Sequence, residues 1–299
     1  KHELVALDAE TGAVAWTKPA DAPGSNVKVE QQRGALLLSA GRVWIAYGGL
    51  YGDCGPYHGF LVGIATNGQG AATIYQDPTT REGGFWAPTG PAADAAGHMY
   101  VPVGNGAAMT AGAKYDMSDG VIELDGNGKV VSYFAPTSWA ADNARDYGTT
   151  GVVLLADGHV FINGKSGIAY LLKQGALGGI TSSVPSISVC RAFGGPVYAD
   201  GLAYVPCTDG LRAVRISGTS MSVAWKATPP GSAVIGGGVV LDIDARAGTL
   251  YALDPASGAV KAKVGLSGAT TRFATPAFGD DGHAYVGTEN GTLAIVATS

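Results

Sequence analysis

Residues 48–59 read GGLYGDCGPYHG and place an acid, a thiol and an imidazole, Asp53, Cys54 and His58, within six positions of a glycine-rich stretch. Three such side chains could ligate a transition metal, but their spacing matches no zinc or copper pattern, and Gly55-Pro56 forces a turn between Cys54 and His58. Two other readings stand beside the metal: a connector in which the glycines set turns and Tyr51 and Tyr57 cap a sheet, or one wall of a binding site. The remaining histidines do not help a metal site. His98, His159 and His283 each follow a turn glycine at one repeated position, so they belong to separate hairpins.

The three cysteines, Cys54, Cys190 and Cys207, contain no CxxC pair, which argues against structural zinc. Cys190 lies just before the first strand of one repeat unit and Cys207 ends its second strand, so a Cys190–Cys207 disulfide is expected, with two buried thiols as the alternative. A bridge closing such a loop contributes on the order of 3 kcal/mol. It also implies an extracytoplasmic compartment: periplasm, cell surface or medium.

The elements that must position these groups repeat along the chain. LVALDAETGAVAW (4–16) aligns without gaps on LYALDPASGAVKA (250–262), and weaker copies read FLVGIATNGQGAATI, GVIELDGNGKVVSYF and LRAVRISGTSMSVAW. Each is strand, tight turn, strand. Ahead of each lies a second hairpin (SAGRVWIAY, AAGHMYVPV, ADGHVFING, ADGLAYVPC, GGGVVLDID, DDGHAYVGT) whose turn glycines fall at 41, 97, 158, 201, 237 and 282. Spacings of 56, 61, 43, 36 and 45 residues suit a four-stranded propeller blade with strands A to D. The expected fold is therefore all-β, a single β-propeller domain over 1–299. It has five full antiparallel blades between about 33 and 266, strands C and D before them and A, B and C after them. The N-terminal VAWTK would complete the last blade, giving six blades; a longer parent with seven or eight is the alternative. The chain enters at a strand C, so a truncated N-terminus is expected, and no signal peptide is present in this chain.

Composition narrows the function. A net charge of −5 with 19 scattered basic residues offers no footprint for nucleic acid, and no apolar run reaches a membrane span. Nothing in the chain demands a dimer, and a monomer is expected. Short A–B and C–D turns contrast with long B–C and D–A connections at 18–32, 48–59, 77–88, 104–119, 135–148 and 174–188. Long loops on a rigid scaffold carry binding chemistry. The loops expected to bind a protein, glycan or small molecule bear Arg33, Asp53, His58, Trp86, Asn105, Trp139, Arg145 and Lys165.

The ALDxxTGxxxW repeat resembles the pyrroloquinoline-quinone (PQQ)-type propeller superfamily over essentially the whole chain. That group includes quinoprotein alcohol dehydrogenases and non-catalytic bacterial propellers such as the lipoprotein of the outer-membrane assembly machinery. The resemblance implies a dehydrogenase reading for several loops. Asp53 in YGDCGPYHGFLVGI stands near a calcium-binding glutamate, and Trp86 and Asn105 in WAPTGPAADAAGHMYVPVGN match a Trp-initiated blade whose asparagine binds calcium. Asp142 or Asp146 in PTSWAADNARDYG would be the catalytic base, and Lys165 in GKSGIAYLL the quinone contact. Under that reading Ca²⁺ polarises a quinone carbonyl while an aspartate takes the alcohol proton. This chain departs from the pattern in having no adjacent Cys-Cys pair, His58 in place of an arginine, and an altered acid loop. The first expectation is thus a non-catalytic propeller without cofactor, with a Ca²⁺- and PQQ-dependent alcohol or sugar dehydrogenase as the alternative.

Overall fold

The computed structural model describes residues 1–110, 112–141, 145–291 and, for the backbone, 293–297. Among the described residues every regular element is a strand apart from the 3₁₀ turn Trp139–Ala141. Among the described residues no helix is long and apolar enough to cross a membrane. The chain forms two compact units, residues 1–154 with 172–184, and residues 155–171 with 185–299.

In the first unit the hairpin Glu3–Leu7/Val14–Pro19 precedes a sheet in which Leu37–Ser39, Arg42–Gly49, Phe60–Ala65 and Thr73–Gln76 occupy positions A to D. A short extra strand, Glu30–Gln31, pairs the far end of strand B at Gly48 and Gly49. The next sheet is Ala92–Ala93, Met99–Pro102, Val121–Leu124 and Val130–Ala135, extended by Gly179–Ile180 running parallel to its last strand. The following sheet begins at Val152–Leu154, and its other strands, His159–Asn163, Ile168–Lys173 and Ser186–Ser188, belong to the second unit apart from Leu172 and Lys173.

The second unit continues with Val197–Ala199, Leu202–Cys207, Gly210–Ser217 and Ser220–Ala227, then Val234–Gly236, Val239–Asp244, Thr249–Leu253 and Val260–Gly265. It ends in three strands, Ala277–Phe278, His283–Gly287 and Leu293–Ala297. Five sheets thus show the antiparallel A–B–C–D order read from the turn glycines, and five of those six glycines have φ between 70° and 86° while Gly237 has 56°. Only glycine adopts such values without cost.

Burial explains the repeat. Strand B is enclosed on both faces: all six residues of Leu202–Cys207 and the last six of Arg42–Gly49 are buried. Sheets therefore pack face to face, with Trp44, Leu61, Met99, Val101 and Ile122 in one cluster and Leu202, Tyr204, Leu211, Val240 and Leu253 in another. Each fully buried side chain of this size contributes about 1.5–3 kcal/mol. The strand-D tryptophans recur in one relation. Trp225 lies on Gly258 and donates to the Pro255 carbonyl at 3.0 Å, and Trp16 lies on Gly68. Both glycines belong to the C–D turn of the following sheet, and a side chain there would strike the indole.

One expectation changes. The segment 174–188 is not a D–A loop: it joins strand C to strand D and contains Ser186–Ser188, whose short polar sequence shows no apolar alternation. The histidine register holds, although these rings are half-buried rather than exposed. His98, His159 and His283 each bring Nδ1 to a carboxylate of their own turn, Asp94 at 3.9 Å, Asp157 at 3.0 Å and Asp281 at 3.1 Å.

Cys190 and Cys207 are joined in a disulfide, and Cys54 is a free, exposed thiol. Denatured, unreduced protein should therefore titrate one thiol and reduced protein three. Reduction should lower the unfolding free energy by about 3 kcal/mol, the loop-closure contribution of a bridge spanning this length, measured by denaturant titration with and without reductant.

Candidate functional site

The GGLYGDCGPYHG loop turns twice between strands B and C of the first sheet. Tyr57 is buried against Gly49, where a side chain would overlap its ring, and its hydroxyl donates to Asp53 Oδ1 at 2.8 Å. Asp53 stays exposed with φ 47°. A left-handed non-glycine residue costs roughly 1–2 kcal/mol, so the loop spends stability on presenting this carboxylate.

Neighbouring long loops are stitched to it. Leu50 N–H donates to the Val29 carbonyl at 2.7 Å, and Asn26 Nδ2 to that of Pro56 at 3.3 Å. On the other side Glu82 N–H donates to the Tyr57 carbonyl at 2.8 Å and Gly59 N–H to the Glu82 carbonyl at 2.9 Å, giving the His58–Glu82 bridge. Gly83 N–H donates to the Asn105 carbonyl at 2.7 Å, and Ala87 N–H to the Gly148 carbonyl at 3.0 Å. Loops 18–32, 48–59, 77–88, 104–119 and 135–148 thus form one hydrogen-bonded layer within the first unit.

At its centre is a residue the sequence reading did not single out. Glu82, left-handed at φ 67°, accepts from Asn105 Nδ2 at 2.5 Å and pairs with Arg81 at 3.3 Å. Burial raises its carboxyl above the usual range; Arg81 and the Asn105 bond pull it down, and the Asp53 charge pushes it up. Asn105 thus meets Glu82 directly, while Asp53 acts on the same carboxyl through its charge. The signal was present in REGGFW, where an ion pair abuts a Gly-Gly step and a tryptophan.

The other expected residues are placed as follows. Trp86 is buried, donates to the Gly49 carbonyl at 2.7 Å and meets Tyr57 edge to face at 6.3 Å. A Cβ at Gly48 would stand 2.7 Å from its indole nitrogen, one at Gly84 2.9 Å from its ring, and one at Gly104 would overlap it. Arg33 is largely buried, and its guanidinium is lowered to about 10 by burial, partly offset by the Asp146 charge. Asp146 is itself buried beside it; Asp142 lies outside the described residues. Trp139 is buried edge-on against Tyr115, 4.9 Å away, while Arg145 is exposed. His58 is half-buried beside Phe60, with its backbone N–H directed at Glu30. Lys165 belongs to the second unit, 5.4 Å from the Phe193 ring. Among the described residues no three His, Cys, Asp or Glu side chains gather as metal ligands.

A second buried group lies under the layer. Asp77 is fully enclosed and accepts from Thr79 N–H at 2.9 Å. Thr79 and Ser118 hydroxyls donate to Asp116 at 2.8 and 2.6 Å.

No family model matches the sequence, and no curated protein matches it. Among solved structures, BamB from Moraxella catarrhalis superposes with a TM-score of 0.64 at 17% identity over 98% of this chain and 76% of that one. Quinohemoprotein alcohol dehydrogenase from Comamonas testosteroni gives 0.69 at 18% identity over 95% and 59%. A europium-containing methanol dehydrogenase gives 0.67 at 14% over 95% and 69%. The fold is a β-propeller. The chain spans less than two thirds of the quinohemoprotein's length, and identities this low bear on the propeller's architecture alone.

Burial, with Asp116 adding to it and the Thr79 bond opposing, pushes the Asp77 carboxyl up to about 8. The unfolded chain releases this proton near the ordinary value of 3.8, the fold only near 8, so between these limits the unfolded state binds fewer protons. Stability then falls as pH rises, by at most about 1.4 kcal/mol per unit. Asp77→Asn should match the parent near pH 4 and gain over it progressively to pH 8, read by denaturant unfolding across that range.

Proposed function

We propose that this protein is a non-catalytic, extracytoplasmic β-propeller that binds a partner protein on the face formed by its long B–C and D–A loops. The observation that carries the reading is the tip of the hydrogen-bonded loop layer: Tyr51 is completely exposed and Leu50 lies beside it. An aromatic and an aliphatic side chain held out on a braced loop are the usual anchors of a protein contact. Exposed Met109, touched by Arg81 Nη2 at 3.6 Å, adds adaptable apolar surface on a neighbouring loop. The disulfide supports an oxidising compartment.

The alternative, a calcium- and PQQ-dependent alcohol or sugar dehydrogenase, has less support. Two of the side chains it would use are engaged elsewhere. Trp86, which would have to offer a face, is packed against Gly48, Gly84 and Gly104. Asp146, one of its two candidate bases, is buried beside Arg33; the other, Asp142, lies outside the described residues.

Two measurements test the reading. Titration with Ca²⁺ and PQQ should give no calcium-dependent binding and no dye-linked alcohol oxidation; either signal, lost in Asn105→Ala, would overturn it in favour of the dehydrogenase. A benzophenone maleimide on Cys54 should photocrosslink one discrete protein from an extracytoplasmic extract of the source organism. The Leu50→Asp/Tyr51→Asp variant should lose that adduct, and an adduct unchanged by it would remove the loop tip from the contact.

A further inference from the structure

The second unit gathers positive charge on its long connections. Arg191, Arg272 and Lys165 surround one aromatic ring, with the guanidinium carbons of Arg191 and Arg272 at 5.3 and 5.0 Å from the Phe193 centroid. Arg272 also lines a cleft of about 170 Å³ with Arg246, Pro230, Gly231, Ile243 and Ala245. Among the described residues no carboxylate forms an ion pair with Arg191, Arg246 or Arg272. Burial, and then the Arg246 and Arg191 charges, hold the Arg272 guanidinium below its usual range. Asp242, enclosed against Gly231 of the cleft wall, does not compensate, since burial pushes its carboxyl well above the usual range, toward the neutral form.

The arginines are held by built turns. Arg191 lies between disulfide-bonded Cys190 and Ala192, which bridges Cys207, and its carbonyl accepts from Thr208 N–H at 3.0 Å. Arg246 sits in a turn whose Asp244 carboxylate accepts the Arg246 and Ala247 N–H groups at 3.0 and 3.1 Å. By strand order Arg191, Arg246 and Arg272 all fall on B–C or D–A connections.

We propose that the cleft between Arg246 and Arg272 binds a small organic phosphate monoester. Its dianion would sit on the guanidiniums, and its apolar body against Pro230, Ile243 and Ala245. Three like charges brought together call for a ligand with more than one negative charge, and guanidiniums suit tetrahedral oxyanions through paired N–H donors. An apolar cleft wall favours an organic substituent over a bare ion.

The test uses the intact chain at low ionic strength, with phenyl phosphate, inorganic phosphate and phenol as probes in calorimetric titration. Phenyl phosphate should bind, phenol should not, and inorganic phosphate should bind about tenfold more weakly, as burying a ring adds a little over one kilocalorie's worth of affinity. Arg246→Gln and Arg272→Gln should each weaken phenyl phosphate about tenfold or more, with unchanged thermal unfolding, while the exposed Lys226→Gln leaves it intact. Absence of phosphate binding, or binding indifferent to Arg246→Gln and Arg272→Gln, would sink the proposal. Equal affinity for inorganic and phenyl phosphate would overturn the organic ligand. These outcomes need neither calcium nor Leu50 and Tyr51, so they stand apart from those for the partner-binding reading.

Discussion

The second strand of each of the five A–B–C–D sheets is buried on both faces along its inner part, and most other features of the molecule accommodate that constraint. Leu202–Cys207 and the inner part of Arg42–Gly49 have no solvent side, so each sheet needs a neighbour and repetition is the means of supplying one. Indoles then meet turns at the crossing points, and Gly258 under Trp225 and Gly68 under Trp16 leave room for them. Short turns at one end of the strands keep the register. The connections at the other end are free to lengthen because they leave the packed strands unaltered.

This division explains what could be read from the residues alone. The turn glycines at 41, 97, 158, 201, 237 and 282 require positive φ, and a requirement that recurs at every repeat is visible in a single sequence. Ser186–Ser188 escaped because its backbone pairing with Ile168–Tyr170 needs no particular side chains. Glu82 escaped for a related reason: its role depends on three loops meeting, and only Asn105, its partner, stood in a recognisable Gly-Asn turn. The pairing of Cys190 with Cys207 was legible because the strand register fixed both ends.

The two units spend polar groups differently. In the first, carboxyls are drawn inside: Asp77, Asp119 and Asp146 are enclosed, and Glu82 is half so. Partners drawn from adjoining loops hold several of them, which stiffens the layer as a whole. In the second, Asp242 is enclosed within a strand, while arginines stand on the corresponding connections around an aromatic ring. Similar strand frameworks thus support opposite local charge, because the framework's stability resides in strands the loops do not enter.

Cys190 immediately precedes Arg191, and Phe193 follows two residues later. The sulfur–sulfur link therefore clamps to strand B the very segment that gathers the guanidiniums. Arg191 and Phe193 are held by this bond together with the backbone hydrogen bonds from Thr208 and to Pro206, whereas the turn bearing Arg246 has hydrogen bonds alone. The charge cluster thus carries a covalent brace on one side only, and a reductant would remove that brace while leaving the hydrogen bonds on both.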